Sequence, residues 1–340
     1  MVEQSLNQEW LELVQEDALE PDLPICDPHH HLWRYREGGV QSCYMLDEIA
    51  EDISGGHNIV STVFIECGAE FREDGPEEFR CVGETEFVVG IAEQADAGET
   101  ARNRIAAGIV GTADLKTGDA VADVLDAQID AGKGRFRGIR LGTLWHENPL
   151  VADHRSNPPQ HLMLRDDFRA GFTHLGPRKL SFEVWCCHPQ IAEATSLAQA
   201  FPDTTIILDH FGGPVGVGPY AGKSDEVFED WRGMINELAA CPNVYAKLGG
   251  LNMEINGFGW HERPVPPTSD ELLEATRRNF EHTIEQFGVE RCMFESNFPV
   301  DKVSCSYTVV WNAFKKLTKD YSVSEKAALF HDTATRVYRL

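Results

Sequence analysis

Residues Ile25-Cys26-Asp27-Pro28-His29-His30-His31-Leu32-Trp33 place three imidazoles and a carboxylate directly behind an apolar entry. The spacing predicts a strand, and alternation along it puts Asp27, His29 and His31 on one face and His30 on the other. Two neutral imidazoles two residues apart on one face can reach a single small cation. They can equally hold a carbonyl or carboxylate oxygen of a substrate. The run is internal, short and set in apolar sequence, unlike a tag or a solvated histidine cluster.

Seven more short apolar runs follow this strand, at 59–66, 108–115, 136–142, 181–187, 205–210, 244–248 and 292–297. Helical patterns lie between or after them, at 84–93, 121–131, 166–175, 190–201, 227–240, 270–287 and 307–318, the first of which could also pass as a strand. Short apolar strands followed by amphipathic helices pair in parallel. Eight such units predict an α/β chain folded as a closed (β/α)8 TIM barrel. The rival, an open doubly wound sheet, lacks a GxGxxG after an early strand. The barrel domain is expected over 25–340. An N-terminal extension over 1–24 reads as an appended helix, and 324–338 reads as a closing helix. Two irregular loops rich in Pro and Gly, 144–164 and 252–268, follow strands and should overhang the carboxyl end as lids or substrate walls.

The chain has 340 residues, 42% of them apolar, which suits one large domain with a full core. Its N-terminus is polar and acidic, and no apolar run approaches a bilayer span, so a cytoplasmic protein is expected. There are 55 acidic against 30 basic residues, a net charge of -25, which disfavours nucleic acid and anionic membranes as partners. The expected partner is a small molecule, and a homodimer is left open. An anionic substrate would need a local basic pocket. Nine cysteines without a CxxC pair are expected to be reduced and mostly buried.

In a barrel, side chains at the carboxyl ends of the strands converge on one cavity. Strand one brings His29 and His31, strand two Glu66, strand four Arg140, and strand five His188. Strand six brings Asp209 and His210, strand seven Lys247, and strand eight Glu295 and Asn297, with Asp301 just beyond. Arg140 and Lys247 could bind a substrate carboxylate or pair with buried acids such as Glu66 and Glu295. Trp260, beside His261 in the second long loop, is a candidate substrate wall. The other histidines, among them His146 and His154, read as solvated or structural.

These residues resemble a family. Asp27-Pro28-His29-His30-His31-Leu32-Trp33 is similar to the D-x-H-x-H-L-W opening of the amidohydrolase-2 branch of the amidohydrolase superfamily. Phe136-Arg137-Gly138-Ile139-Arg140 resembles its fourth strand, and Leu208-Asp209-His210-Phe211-Gly212-Gly213-Pro214 its L-D-H-x-G-x-P sixth strand. Phe294-Glu295-Ser296-Asn297-Phe298-Pro299 resembles its F-G-S-D-W-P eighth strand. The resemblance implies a (β/α)8 barrel that hydrolyses small lactones, or in some relatives decarboxylates or hydrates aromatic or unsaturated acids. It implies a divalent metal, Zn or Mn, in some members and metal-free operation in at least one lactonase group. Residue by residue it carries metal binding onto His29, His31, His210 and His188.

Strand eight departs from the pattern. The family's eighth-strand aspartate, ligand and base, falls on Asn297, whose amide cannot take a proton at neutral pH. The family's small glycine is Glu295 here. A base is therefore expected at Asp301, on reach, or at Glu295. The leading expectation is a hydrolase of a small lactone or ester bearing a carboxylate, with catalytic roles for His210, Asp301, Asn297 and Glu295. Substrate contacts are expected from Arg140, Lys247, Glu66 and Trp260. The rivals are a lyase acting on an aromatic or unsaturated acid, and a binding barrel without catalysis.

Overall fold

The computed structural model describes residues 2–36, 41–152 and 155–340. Strands β1 (Pro24–His30), β2 (Asn58–Ile65), β3 (Gly108–Gly111), β4 (Phe136–Gly142), β5 (Ser181–Trp185), β6 (Ile206–Leu208), β7 (Val244–Leu248) and β8 (Cys292–Phe294) form one sheet in sequential order. Every pairing is parallel. Around the β8–β1 seam, His31 N donates to Phe298 O at 2.8 Å and Asn297 N donates to His29 O at 3.0 Å. The result is the expected, nearly closed (β/α)8 barrel.

Helix α1 (Val2–Leu11) precedes the barrel, and α2 (Leu46–Ile53), α3 (Val82–Ala97), α4 (Val121–Ala131), α5 (Asp166–Phe172), α6 (Ile191–Ala200), α7 (Ser224–Ala239) and α8 (Ser269–Phe287) connect the strands. The ambiguous 84–93 run is the middle of α3, whose Val88, Val89, Ile91, Ala92 and Ala95 are buried with the helical spacing of three and four. At the start of α8, Thr268 accepts from Glu271 N while Glu271 accepts from Thr268 N, a reciprocal cap. No described helix is long and apolar enough to cross a membrane.

The chain ahead of β1 is tied down on the barrel's flank. Trp10 Nε1 donates to Arg263 O at 2.9 Å, and Glu16 accepts from Ser269 N and Oγ at 2.8 and 2.6 Å. After β8, α9 (Tyr307–Leu317) and α10 (Val323–Ala327) lead through a wide turn at Ala328–Asp332 into α11 (Thr333–Tyr338). This closing segment plugs the amino end of the barrel, where Val337 and Tyr338 pack with Cys26, Val63, Val110, Ile207 and Met293.

The period of two then sets the next layer. Two residues beyond Ile207 and Met293 on the same strand face come Asp209 and Glu295. Glu183, Lys247 and Arg140 join them from β5, β7 and β4. The barrel interior is thus apolar below and charged above, and Tyr338 OH joins the layers by donating to Glu183 at 2.5 Å.

The alternation expected for residues 27–31 breaks. The β1–β2 register shifts between Asp27 and His30, around Pro28, which has no N–H for the ladder. Asp27 leaves the cavity face and accepts from Ser296 N at 3.0 Å and Tyr307 OH at 2.9 Å, tying β1 to the segment after β8 and to α9. Strands β6 and β8 also stop sooner than the apolar runs predict. His210, Phe211 and Asn297 take left-handed backbone, φ 51, 59 and 58°. Asn and His tolerate that conformation better than most side chains, whereas at Phe211 it carries strain, which tends to collect at working sites.

Candidate active site

Glu295, at the end of β8, is the hub. His210 Nδ1 lies 2.7 Å from Glu295 Oε1, which also accepts from His210 N at 3.2 Å. His29 Nδ1 lies 2.7 Å from Glu295 Oε2, off hydrogen-bond alignment. Lys247 Nζ donates to Glu183 Oε2 at 2.6 Å and lies 3.4 Å from Asp209 Oδ1 and 3.2 Å from His29 Nδ1. Arg140 donates through Nε to Glu66 Oε1 at 2.9 Å and through Nη2 to Glu66 O, and its Nη1 is 3.3 Å from His29 Nε2. Arg155 completes the set with two 3.0 Å bonds to the Glu66 carboxylate.

Among the described residues, Glu66, Glu183, Asp209 and Glu295 face Arg140, Arg155 and Lys247 in this network. Four acids against three bases leave room for one more cation or proton. Burial raises Asp209 to about 6 and pushes Glu295 well above the usual carboxylate range, with Lys247 opposing in both cases. Burial, then the charge of Lys247, drives His29 far below the usual imidazole range, and burial takes His210 down to about 3. Both imidazoles are therefore neutral, the form that binds a metal or accepts a proton.

The donor set fits a divalent cation. His29, His210 and Glu295 each offer one atom within 4.8 Å of the others, as do His29, Glu183 and Asp209. Both Asp209 oxygens and Glu295 Oε2 are buried with no aligned donor. The Lys247 ammonium lies 3.2 Å from His29 Nδ1, which both groups share, but it bonds a carboxylate only in the second, at Glu183, so the first group is the less occupied holder for a metal.

The remaining predicted residues are placed as follows. His31 lies beside His29, ring centroids 4.9 Å apart, and its Nδ1 donates to Ile65 O at 2.8 Å, outside the three-donor groups. His188 is in a turn over β5, where its Nδ1 accepts from Val215 N at 3.4 Å and Tyr220 packs edge-on at 4.8 Å. It joins no donor group, because the chain turns at Cys187 and aims the ring at the loop after β6. Asn297 does not share the inward face of Glu295, since the strand has ended and its backbone is left-handed. Its Nδ2 instead donates to Asp301 Oδ1 at 2.8 Å. Asp301 also accepts from Asn252 N at 3.2 Å, and burial raises it to about 7 against these bonds. Trp260 stacks on Phe258 at 5.7 Å and under Arg263, on the flank that α1 covers. Arg140 is fully committed to Glu66, His29 and Asp209. His154 lies outside the described residues, as does residue 153 of the first long loop. All nine cysteines are free, and eight of them are buried.

Glu183, Arg155 and the Gly249-Gly250 pair are parts of this site that the apolar pattern does not single out. Glu183 was legible in principle, since Ser181-Phe182-Glu183-Val184-Trp185 alternates and Glu183 takes the inward turn. The glycines are needed for space. A Cβ on Gly249 would meet Glu295 O at 2.1 Å, and one on Gly250, φ 68°, would meet His210 Nδ1 at 2.1 Å. Gly250→Ala is accordingly expected to displace the imidazole from Glu295. It should cut kcat/KM on the order of 100-fold while far-UV circular dichroism stays unchanged.

Glu66 yields a stability prediction. Burial alone would raise it, but Arg155 and Arg140 overcome burial and hold it at about 2, against 4.5 for the free side chain. A depressed carboxylate contributes stability that is present above its unfolded value and is lost as pH falls through the folded one. That contribution is roughly 3 kcal/mol. Denaturation of Glu66→Gln beside the parent protein should show a deficit that is constant above about pH 5 and shrinks toward pH 2.

A family model described as Amidohydrolase matches residues 26–340. The uncharacterised protein y4mH of Sinorhizobium fredii is 34% identical over 337 residues, spanning 94% of this chain and 99% of that protein. An L-fucono-1,5-lactonase of Burkholderia multivorans is 26% identical over 325 residues, 92% and 95% of the two chains. A crystal structure of an amidohydrolase from Burkholderia multivorans with bound zinc superposes with a TM-score of 0.70 at 23% identity, covering 93% of this chain and 99% of that one. With the barrel, the strand-end histidines and a match running from β1 to the last residue, this chain belongs to the amidohydrolase family.

Proposed function

We propose that this protein hydrolyses the ester bond of a small lactone that bears a carboxylate. The observation that carries this reading is the His210–Glu295 pair, 2.7 Å apart at the barrel end, with neutral His29 beside it. The Glu295 contact engages Nδ1 of His210 and leaves Nε2 as the nitrogen with an available lone pair. Trp185, which lines the cavity above, packs edge-on to the His210 ring at 5.1 Å.

Water adds its oxygen to the ester carbonyl carbon and gives one proton to His210 Nε2. The ring C–O bond then breaks, and the departing oxygen takes that proton, so one lactone and one water yield one hydroxy acid. Glu295 orients the imidazole through Oε1. Lys247 and Arg140 hold the surrounding carboxylates and fix His29 in its neutral form.

A Zn or Mn ion would be held by His29, His210 and Glu295, and would supply carbonyl polarisation and a bound water of lowered pKa. The zinc-bearing relative supports this version. His210 is the base in one version and a ligand in the other. Hydrolysis of carboxylated lactones by protein purified without chelator, assayed before and after EDTA, tests the reading. Activity that survives EDTA assigns the work to His210 as base, and activity that returns only with Zn or Mn assigns it to the metal. Release of carbon dioxide from an aromatic acid, without any lactone turnover, would replace the reading with the lyase.

A further inference from the structure

A cavity of about 350 Å3 opens above the charged layer. That is the low end of small-ligand pockets, room for one or two rings. Its walls are chiefly Trp33, Trp185, Met253, Ile255, Pro299 and Val300. It adjoins the site at two points. Trp185 touches His210, and Trp33 stacks on His31 with ring centroids 6.3 Å apart.

Among the described lining residues the polar side chains are Arg36, Gln41 and Glu254, and Arg36 is the single cation. The Arg36 guanidinium lies 4.0 Å from the Trp33 ring centre, and its Nη2 donates to Cys67 O at 2.6 Å. These contacts hold a planar, permanently charged fork at the cavity wall, the geometry suited to a carboxylate.

A second cavity, about 760 Å3, opens on the β2–β4 side and is lined by Glu66, Glu77, Glu78, Asp114 and Arg155 among others. It adjoins the charged layer through the Glu66–Arg155 pair and has no aromatic contact to His210. Its other charged side chains are mixed, Glu77, Glu78 and Asp114 beside Arg80 and Lys116, and Lys116 is already paired with Asp114 at 3.3 Å.

Resting on the hydrolase reading above, we infer that the substrate is a cyclic ester with an apolar, aliphatic or aromatic body and one anionic group. The ring sits between Trp33 and Trp185, and the anion pairs with Arg36. A polyhydroxylated sugar lactone is selected against, because each hydroxyl buried against Met253, Ile255 or Val300 loses its water without gaining a partner. An apolar pocket separates two ligands that differ by one hydroxyl by roughly 100-fold.

The test uses the full chain in two assays. A pH-stat compares kcat/KM for a dihydrocoumarin bearing a carboxylate, its methyl ester derivative at that carboxylate, and a polyhydroxylated aldono-1,5-lactone. Tryptophan fluorescence measures affinity for the corresponding ring-opened hydroxy acids. The carboxylated aryl lactone should lead the aldonolactone by about 100-fold. Arg36→Gln should erase its advantage over the methyl ester, and Val300→Asn should narrow the aryl-to-sugar ratio. An aldonolactone that is hydrolysed faster, or ratios that neither variant moves, overturns the inference. If no lactone turns over, the hydrolase reading fails and the binding assay decides alone. Tighter binding of the aryl acid, weakened in both variants, then upholds the substrate class, and equal binding of the two acids overturns it.

Discussion

His210→Ala is expected to lower kcat/KM for lactone hydrolysis by a factor on the order of 100 to 10,000 and to leave the barrel folded. The imidazole contacts Glu295 beneath it and Trp185 above it. Its removal takes away the base of the metal-free version and a ligand of the metal version. The fold should survive, because the backbone turn that carries His210 is fixed elsewhere: Trp231 Nε1 donates to Phe211 O at 2.7 Å, and Gly213 N closes on His210 O at 2.9 Å. Steady-state kinetics beside a thermal melt checks both halves. A melt close to that of the parent protein with activity near the buffer blank is the expected pair of results. Activity within a few fold of the parent would remove His210 from the chemistry.

Lys247→Met carries the largest expected loss of stability. The ammonium is wholly buried and bonds Glu183 at 2.6 Å, with Asp209 Oδ1 at 3.4 Å and Glu295 Oε2 at 4.0 Å. Burial would lower its pKa, yet the three carboxylates together hold it above the ordinary lysine value. Methionine fills similar volume but leaves the acids without their cation, an uncompensated burial that costs about 3–5 kcal/mol. Adding Glu183→Gln removes one of the stranded charges, so the double variant should be more stable than the sum of the two single losses implies. Urea denaturation of the four proteins reads out this coupling. Strict additivity would mean that Lys247 and Glu183 do not work as a pair.

The barrel was legible because eight apolar runs of strand length alternate with helical patterns. The 136–142 and 244–248 runs coincide with β4 and β7. What was not legible depends on where strands stop. Asn297 and Glu295 look like same-face neighbours only if β8 continues to residue 297. It ends at Phe294, and left-handed backbone at Asn297 turns that side chain onto Asp301. Asp27 likewise leaves the face of His29 because a register shift at Pro28 resets the alternation. The charged layer was half visible. Lys247 and Arg140 stood out as cations on strands and Glu66 as a possible partner, but Glu183 did not, because it reaches Lys247 from two strands away only across the barrel interior. Gly249 and Gly250 were invisible as site residues, because their role is the space they leave for Glu295 and His210.

The most direct test of the central claim, that the His29–His210–Glu295 end of this barrel hydrolyses a carboxylated lactone, is a pH-stat assay of the purified chain on such a lactone. It should be run as isolated, after EDTA, and after reloading with zinc. The protein is expected to release one acid equivalent per lactone in at least one of these states, and His210→Ala is expected to release none above the blank in any of them. A wild-type chain that matches the blank in all three states would contradict the claim.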